Sequence, residues 1–332
     1  MINLLSKIKK AKLVGRGGAE FSTSIKWELT AKTKKDPKYV ICNASEGEMG
    51  VFKDFYILKN HAEDVIKGMI LAMDFLNTKE SYFNFNTEYY KKLKSKLTPI
   101  LKKYEKKGYK FTIYLEDPSY IGGEETALLN AIEEKRIEPR SKPPFPGESG
   151  LFSKPTLIHN VETLFNVAQV DEDKFESKRF YCISEKTKPI GVYHLSDNLT
   201  IYQILEQTKN LPKSDFFVQI GGGASGLVLN QKQTKKQKMT GAGSLQIFPI
   251  ATDPKKMLLT WFKFYNDESC GKCTPCREGT YQLYEMVKKN KNIPWKKIMD
   301  IIEVMETTSF CALGRSIGIP VKSYMKNVLK IS

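Results

Sequence analysis

Residues 39–50 read YVICNASEGEMG, and this stretch decides the fold class. Its first four residues are apolar and include Val40 and Ile41, which is typical of a short buried strand. A polar loop with two glycines follows at once. In α/β proteins, ligands bind at the carboxyl ends of parallel strands, where this loop would lie. Glu46 and Glu48 could accept hydrogen bonds from ligand hydroxyl groups, and the alternative is a solvated acidic loop.

Helical and strand-like segments alternate after this stretch. The apolar spacing of residues 61–76 predicts a helix, and residues 89–106 form a second, lysine-rich helical segment. Residues 81–86 and 110–115 are strand-like. This order favours the α/β class, with a parallel sheet that helices cover on both faces.

A glycine-rich loop precedes the first strand, and residues 15–27 read GRGGAEFSTSIKW. Glycines let backbone amide groups approach a phosphate closely, and Thr23 or Ser24 could cap the helix that follows. Lys26, about one turn into that helix, could add a positive charge. The loop lacks the third glycine of the Rossmann fingerprint, so it is also compatible with a turn that binds nothing.

A second glycine-rich loop follows the strand at residues 110–115, and residues 116–129 read EDPSYIGGEETALL. Glu124 and Glu125 lie in the first turn of a predicted helix, where the helix dipole favours acidic side chains. Capping accounts for one of these glutamates more readily than for two beside Tyr120. The loop is therefore a second candidate ligand site.

The next segment is rich in proline. Residues 140–147, RSKPPFPG, are unsuited to a helix or a central strand, so we expect a stiff extended segment that presents Lys142 and Phe145. Residues 156–163, TLIHNVET, then predict the start of a helix. Within them, His159 is interpreted as a hydrogen-bonded structural residue rather than a metal ligand.

The pattern changes after residue 185. Three strand-like segments and one helical segment predict a small α+β module, and they cover residues 189–195, 199–208, 215–220 and 245–250. The glycine run at residues 221–226, GGGASG, lacks the Lys-Ser/Thr ending of a P-loop and is interpreted as a turn. From Asp253 onward we expect helices, interrupted by one cysteine-rich loop and a tail around residues 314–320.

The cysteine-rich loop carries Cys270, Cys273 and Cys276 at a strict spacing of three, and Cys311 follows a helical stretch. This pattern favours a cubane iron–sulfur cluster over structural zinc, which usually draws on two separated C-x-x-C pairs or on added histidines. The chain has three histidines, and none follows Cys270. The alternative is a set of buried structural cysteines.

The composition is that of an ordinary globular protein, since 41% of the 332 residues are hydrophobic and 11% are aromatic. No apolar run approaches the roughly 20 residues of a membrane helix, the first residues do not resemble a secretory signal, and no disulfide framework is suggested. We therefore expect a protein of the reducing cytoplasm. The net charge of +16 comes from scattered lysine stretches without interleaved aromatic residues, which argues against a nucleic-acid platform. Solvated surfaces, acidic partner subunits or anionic cofactors are the remaining explanations.

The order of these motifs, from about Gly15 to Pro320, resembles the NADH-binding, FMN-containing flavoprotein subunit of respiratory complex I. Related proteins are the diaphorase subunits of NAD-linked hydrogenases and formate dehydrogenases. The resemblance implies a Rossmann-like domain for FMN and NADH at residues 1–185. It also implies a β-grasp (SLBB-type) module at residues 186–252 and a helical domain with one [4Fe-4S] cluster at residues 253–332.

The resemblance also implies which residues bind the cofactors. The first glycine loop would wrap the FMN phosphate, and Phe21 would stack on the nucleotide. The implied FMN- and NADH-binding residues are Gly15, Arg16, Gly17, Gly18, Phe21, Lys26, Asn43, Glu46, Glu48, Tyr120, Gly123, Glu124, Glu125, Lys142, Phe145 and Asn160. The implied cluster ligands are Cys270, Cys273, Cys276 and Cys311. No side chain is expected to act as a general acid or base, because the chemistry belongs to the cofactors.

The chain departs from the family's pattern in several places. Ser45 stands where an acid is expected beside Glu46, and Leu29 stands where an aromatic residue often helps to stack NADH. The other departures are Glu20, Ser22, Ser24, Met49 and His159. We expect an intact FMN site and an altered NADH site, with Glu48 as the candidate for selecting NADH over NADPH.

A single cluster needs an external electron acceptor. The resemblance implies a [2Fe-2S] thioredoxin-like subunit and a larger iron–sulfur subunit as partners, without nucleic acid and without a direct membrane span. The implied function is an NADH dehydrogenase electron-entry subunit, which transfers a hydride from NADH to FMN and single electrons through the cluster. The alternatives are the diaphorase subunit of a soluble hydrogenase or formate dehydrogenase, a degenerate non-catalytic scaffold, and a zinc-stabilised nucleic-acid binder.

Overall fold

The computed structural model describes residues 2–116 and 119–331, without the side chains of Ile2 and Asn3. Asp117 and Pro118, which belong to the second glycine-rich loop, lie outside the described residues. The chain forms two compact units. The first contains the residues up to Gly47 and then Phe52–Phe180, and the second contains Glu48–Val51 and the residues from Tyr181 onward.

The first unit is built on a sheet of four parallel strands in the order β3-β2-β1-β4. The strands are β1 (Tyr39–Ala44), β2 (Glu80–Asn86), β3 (Lys110–Glu116) and β4 (Thr156–Asn160). Ile41 of β1 pairs with Tyr82 on one side and with Ile158 on the other, so β1 is an interior strand. The predicted α/β class with a parallel sheet is confirmed.

Helices pack against this sheet. They are α1 (Ile2–Lys10), α2 (Thr23–Lys32), α3 (Lys53–Phe75), α4 (Thr87–Glu105), α5 (Ala127–Ile132), α6 (Pro146–Ser149) and α7 (Val161–Asp171). The prediction of a helix start at residues 156–163 is wrong for its first half, because Thr156–Asn160 pairs with β1 as a strand. A Cβ on Gly68 of α3 would lie 1.9 Å from the carbonyl oxygen of Leu164, so glycine permits the close approach of α3 and α7.

The second unit contains a mixed sheet in the order β6-β5-β9-β7-β8. Its strands are β5 (Lys178–Glu185), which begins in the first unit, β6 (Lys188–Ser196), β7 (Phe216–Ile220), β8 (Leu227–Asn230) and β9 (Ser244–Pro249). Strands β5 and β9 are parallel, whereas β7 is antiparallel to both β8 and β9. Two short helices, α8 (Ile201–Gln207) and α9 (Gln231–Thr234), accompany the sheet. Ile201, Ile204 and Leu205 of α8 join its buried core, as expected for an α+β module.

Helices follow the mixed sheet to the end of the described chain. They are α10 (Pro254–Glu268), α11 (Thr274–Lys289), α12 (Trp295–Thr308), α13 (Ala312–Ser316), α14 (Gly318–Tyr324) and a π-helical turn at Met325–Leu329. Trp261 is buried, its indole lies perpendicular to the ring of Tyr324 at 5.6 Å, and its Nε1 donates to Gln219 Oε1 at 3.1 Å. None of the helices described in residues 2–116 and 119–331 has the length and apolar character of a membrane span. The division into three domains remains a prediction.

Candidate functional site

The first glycine loop folds back on itself ahead of α2. The amide of Gly15 donates to the carbonyl of Phe21 at 2.8 Å, and Gly18 adopts a φ of 117°, a conformation that favours glycine. The helix cap is Ser22, whose side chain accepts from the amide of Ile25 at 3.5 Å. Neither Thr23 nor Ser24 is the cap, since both already lie within the helix.

Asn160, at the carboxyl end of β4, lies directly against this loop. A Cβ on Gly17 would be 3.2 Å from the Cβ of Asn160, so the glycine allows the loop to approach. The side-chain oxygen of Asn160 accepts from Lys53 Nζ at 3.1 Å and from the amide of Glu162 at 3.0 Å. Its Nδ2 donates to Asp54 at 2.5 Å. These contacts hold the asparagine in one orientation.

Lys53 is a buried cation that the sequence reasoning missed. It is 1% exposed, and its ammonium lies 2.7 Å from Asp54 and 3.1 Å from Glu162. Burial opposes its charge, but the nearby carboxylates hold the pKa of Lys53 above its ordinary value. The sequence carries no local signal for this, because Lys-Asp at a helix start is usually solvated.

Glu46 caps α3 in this structure. Its carboxylate accepts from the amide of Asp54 at 2.7 Å and from the amide of Phe55 at 3.2 Å. Burial, reinforced by the negative charge of Asp54, raises the pKa of Glu46 to about 8. This side chain therefore keeps its proton near neutral pH.

The second glycine loop brings together four predicted site residues. Lys26 lies 3.1 Å from Glu125, while Lys142 lies 2.8 Å from Glu125 and 2.9 Å from Glu124. Burial opposes the charge of Glu125, but Lys26 and Lys142 lower its pKa to about 2. Two lysines thus fix both carboxylates in place.

Glu124 also caps α5, since it accepts from the amides of Thr126 and Ala127 at 2.8 and 2.9 Å. The two glycine-containing loops after β1 and β3 are tied together by Asn43, whose Nδ2 donates to the carbonyl of Gly123 at 2.8 Å. Tyr120 is only partly buried. These contacts juxtapose the two loops at the carboxyl edge of the sheet, where the strand pattern predicts a ligand.

Phe21 and Phe145 are the exposed aromatic residues among the predicted site residues, with 52% and 55% of their surface accessible. Exposed rings of this kind are available for stacking. By contrast, His159 is buried and accepts from Trp27 Nε1 at 2.8 Å. Burial holds the pKa of His159 well below its usual value, so it is a neutral structural residue.

Glu48 belongs to the second unit and contacts the glycine run at residues 221–226. Its carboxylate accepts from the amide of Ala224 and from Ser225 Oγ, both at 2.9 Å. A Cβ on Gly222 would come within 2.7 Å of this carboxylate. The glycine run thus forms a turn that encloses Glu48.

The four predicted cluster ligands sit at the ends of α11 and α13. Cys273 precedes α11, Cys276 lies in its first turn, Cys311 precedes α13 and Cys270 lies in the loop before α11. Burial raises the pKa of Cys276 to about 12, opposed by a hydrogen bond from Ser269 and reinforced by the other three cysteines. The amide of Phe310, next to Cys311, donates to Cys273 Sγ at 3.4 Å, and a Cβ on Gly314 would lie 3.2 Å from the Cβ of Cys276. The segment that carries Cys311 therefore lies against the start of α11.

Four cysteine thiols are the donor set that holds a [4Fe-4S] cluster. Among residues 2–116 and 119–331, no group of three or more His, Cys, Asp or Glu side chains is spaced to hold a single metal ion. The amide of Phe310 donates to Cys273 Sγ at 3.4 Å, the kind of contact that stabilises cluster sulfur.

The loops of the first unit fit FMN. The glycines at positions 17 and 18 and the polar loops that meet at the carboxyl edge of the sheet suit an anionic, hydroxyl-rich ligand. Asn84, which is fully buried at the same edge of the sheet, has a side-chain oxygen without a hydrogen-bond partner in the described part of the chain. A ligand hydroxyl is the kind of donor that this oxygen accepts.

Two protein-family descriptions match the chain. Residues 8–169 match the Nuo51 FMN-binding domain. Residues 256–329 match the NADH-ubiquinone oxidoreductase-F iron-sulfur binding region. The two matches cover the first glycine loop, the strands β1 to β4 and all four cysteines.

The chain is also similar to curated proteins over nearly its whole length. The NADH-quinone oxidoreductase F subunit of Buchnera aphidicola subsp. Schizaphis graminum (strain Sg) is 34% identical, over 90% of this chain and 72% of that protein. One of the NADH-quinone oxidoreductase F subunits of Rhizobium meliloti (strain 1021) is 28% identical, over 98% of this chain and 86% of that protein.

Among solved structures, a chain of an NAD+-reducing [NiFe]-hydrogenase in the H2-reduced state superposes with a TM-score of 0.88 and 27% identity. The match covers 98% of this chain and 60% of the hydrogenase chain, so this protein spans less than two thirds of that relative.

Proposed function

Since the chain belongs to the family of the NADH-quinone oxidoreductase F subunits, we propose that it is the subunit through which electrons from NADH enter a larger enzyme. It binds NADH, FMN and one [4Fe-4S] cluster and acts as an NADH dehydrogenase. The observation that carries this proposal is the presence in one chain of two glycine-containing loops that contact each other and of four cysteines at the starts of two helices that contact each other.

The bound groups supply the redox chemistry, which is hydride acceptance at FMN and one-electron transfer at the cluster. The protein's own residues bind and orient. Amides of the first glycine loop hold a phosphate, and Asn160 sets the position of that loop through its contact with Gly17. The exposed rings of Phe21 and Phe145 offer stacking surfaces for the nucleotide.

Charged residues define the nucleotide side of the site. Lys26 and Lys142 keep Glu125 ionised, so that its carboxylate can accept hydrogen bonds from ribose hydroxyls. Glu46 carries a proton near neutral pH and, through its contacts with the amides of Asp54 and Phe55, fixes the start of α3 behind the loop. None of these side chains needs to exchange a proton with the substrate.

The full set of proposed binding residues is that given by the resemblance, with one changed role. Glu48 is held by Ala224 and Ser225, so we propose that it anchors the loop in which it lies and acts on NADH selectivity only through that loop. The proposed cluster ligands are Cys270, Cys273, Cys276 and Cys311. Three contiguous domains at residues 1–185, 186–252 and 253–332 remain part of the proposal.

The chain works as one subunit of a multi-subunit enzyme. We propose a [2Fe-2S] thioredoxin-like subunit and a larger iron–sulfur subunit as its partners, because one cluster requires an external acceptor. We also propose a cytoplasmic location, within a peripheral arm on the cytoplasmic side of the membrane. The proposal includes no nucleic-acid partner and no direct membrane span.

A second candidate is the diaphorase subunit of an NAD-linked hydrogenase. It is supported by the similarity to the NAD+-reducing [NiFe]-hydrogenase chain, which has a TM-score of 0.88. Both candidates share the cofactors and the hydride step, and they differ in the partner that receives the electrons. Co-purification with a hydrogenase large subunit would favour this candidate.

The test is anaerobic purification followed by spectroscopy. We expect flavin absorption bands, about one FMN and four iron atoms per chain, and bleaching of the flavin bands by NADH. Bleaching by NADH but not by NADPH supports the proposed nucleotide. A protein without flavin bands contradicts the proposal, and flavin that neither nucleotide bleaches would indicate a scaffold.

A further inference from the structure

Ser45 leaves a gap in the proposed flavin site. It lies between Asn43 and Glu46, at a position where the resemblance to the complex I flavoprotein subunit implies an acidic residue. A hydroxyl group does not supply the negative charge or the acceptor capacity of a carboxylate. Ser45 is 3% exposed, so a solvent ion is no substitute for that charge. The missing carboxylate must come from another residue, or the site functions without it.

Glu116 places a carboxylate directly on this serine. It is the last residue of β3, lies 71 positions away in the chain and is 3% exposed. Its Oε2 accepts from Ser45 Oγ in a short hydrogen bond and from Asn84 Nδ2 at 2.7 Å. Its Oε1 accepts from Ser119 Oγ at 3.1 Å. Three side-chain donors thus fix the position of this buried carboxylate.

The surrounding residues make room for this carboxylate. A Cβ on Gly122 would lie 1.4 Å from Glu116 Oε1, so only glycine is compatible with the present position of the carboxylate. Gly123 packs against Ser45, with 3.4 Å between its would-be Cβ and the serine Cβ. The carboxylate therefore ties the loop after β1 to the loop after β3, the two loops proposed to hold FMN.

Asn84 connects the same cluster to an open acceptor. Its Nδ2 donates both to Ser45 Oγ at 3.0 Å and to Glu116. Its Oδ1 is buried and has no hydrogen-bond partner within residues 2–116 and 119–331. The orientation of the amide follows from the carboxylate, since the NH2 group must face it. Glu116 thereby points the Asn84 oxygen away from itself, where it can accept from a ligand.

We propose that Glu116 supplies from β3 the carboxylate that position 45 lacks, and that it is a positioning residue for the FMN site. The inference rests on the proposed function. In this chain, Glu116 at the end of β3 and Ser45 after β1 together replace one acidic residue at position 45. The prediction that follows is an exchange: the acid can be moved back to position 45 if it is removed from position 116.

The experiment is a cycle of three variants of the full chain, with FMN as the probe. The variants are Glu116→Gln, Ser45→Asp and the double variant Ser45→Asp/Glu116→Gln. The control is Glu80→Gln, at the opposite end of β2 from the cluster. Each protein is depleted of flavin and titrated with FMN, and the Kd, the flavin absorption maxima and the Tm of the flavin-free protein are recorded.

We expect each single variant to bind FMN at least about tenfold more weakly than the wild type. Glu116→Gln removes the carboxylate, and Ser45→Asp places two carboxyl groups in contact. The double variant again has one carboxylate, so its Kd should return to within about threefold of the wild-type value. Its absorption maxima should return as well, and the control should not change. This recovery is a result that a purely structural role would not produce.

Several outcomes would overturn the inference. One is unchanged FMN affinity in Glu116→Gln with a lower Tm, which means that the residue only stabilises the fold. Another is a double variant that binds FMN more weakly than either single variant. If Glu116→Gln does not fold, recovery of folding and FMN binding in the double variant supports the exchange, and failure of both contradicts it. A wild-type chain without FMN affinity contradicts the proposed function itself and this inference with it.

Discussion

The flavin loops and the cysteine loop differ in how far the protein satisfies them by itself. In the flavin loops, carboxylates already have partners, as in the contacts of Glu125 with Lys26 and Lys142. In the cysteine loop, burial and the three other cysteines raise the pKa of Cys276 to about 12, so its thiolate form requires a bound metal. One site is therefore organised before its cofactor binds, whereas the other depends on its cofactor for cohesion.

The largest effect is expected from breaking the dependent site. Cys276→Ser removes a buried thiol whose pKa the other three cysteines raise. We expect complete loss of the cluster's iron while FMN remains bound, because the flavin loops hold themselves. Iron and flavin assays on the same sample measure this. The control is Cys182→Ala, a buried cysteine far in sequence from the cluster ligands, and loss of FMN in Cys276→Ser would contradict the comparison.

Removal of the buried cation Lys53 should destabilise the first unit, which contains the flavin loops. Lys53→Met leaves Asp54 and Glu162 buried without their partner, which should destabilise the first unit by about 3–5 kcal/mol. Urea denaturation followed by tryptophan fluorescence measures the change. Lys96→Met, on the exposed surface of α4, is the matched control. A Lys53→Met protein as stable as the wild type would show that the buried network contributes nothing.

The raised pKa of Glu46 makes the stability of the flavin loops depend on pH. Its pKa is about 8 in the folded protein and near 4.5 in the unfolded chain, so the folded state binds an extra proton between these values. Stability should therefore fall as pH rises from 5 to 8, by on the order of 3 kcal/mol. Glu46→Gln cannot ionise, so its stability relative to the wild type should increase over this range. Parallel urea titrations at pH 5, 6.5 and 8 measure the difference, and parallel curves would refute it.

The smallest effect is expected at Glu125, where the sign is opposite. Its pKa is about 2, so its contribution is complete above about pH 4.5 and is lost as pH falls toward 2. Glu125→Gln should cost about 1 kcal/mol at pH 7, because the ion pairs are partly exposed. It should also raise the KM for NADH more than it lowers kcat. Equal stability of variant and wild type at pH 7 would remove the ion pairs from the account.

Several features could be predicted from the sequence because their signals are local. The apolar residues of β1, the glycines at positions 15, 17 and 18, and the cysteine spacing each depend on a few neighbouring residues. Local periodicity specifies strands and helices, and a spacing of three brings thiols onto one loop. The same reasoning was wrong for Thr156–Asn160, where pairing with β1 overrode an apparent helix start.

Other features depend on contacts between distant positions. The burial of Lys53, the capping of α3 by Glu46 and the contact of Glu48 with Ala224 are of this kind. Each of these charged residues looks solvated in sequence, because charge pairing is decided by which strands end side by side. The pKa of Glu46 is raised to about 8, whereas the pKa of Glu125 is lowered to about 2. Both residues are glutamates, so only their surroundings in the folded chain cause the difference.

The sequence by itself determined the α/β class, the two glycine-containing loops and the four-cysteine set, since backbone preference and side-chain spacing act over short distances. Only the tertiary structure decided that Glu116 of β3 meets Ser45 after β1. Parallel strands bring residues far apart in the chain to one edge, and there burial strengthens every charge and hydrogen bond. At that edge, the hydroxyl group of Ser45 becomes the donor that holds the carboxylate of Glu116.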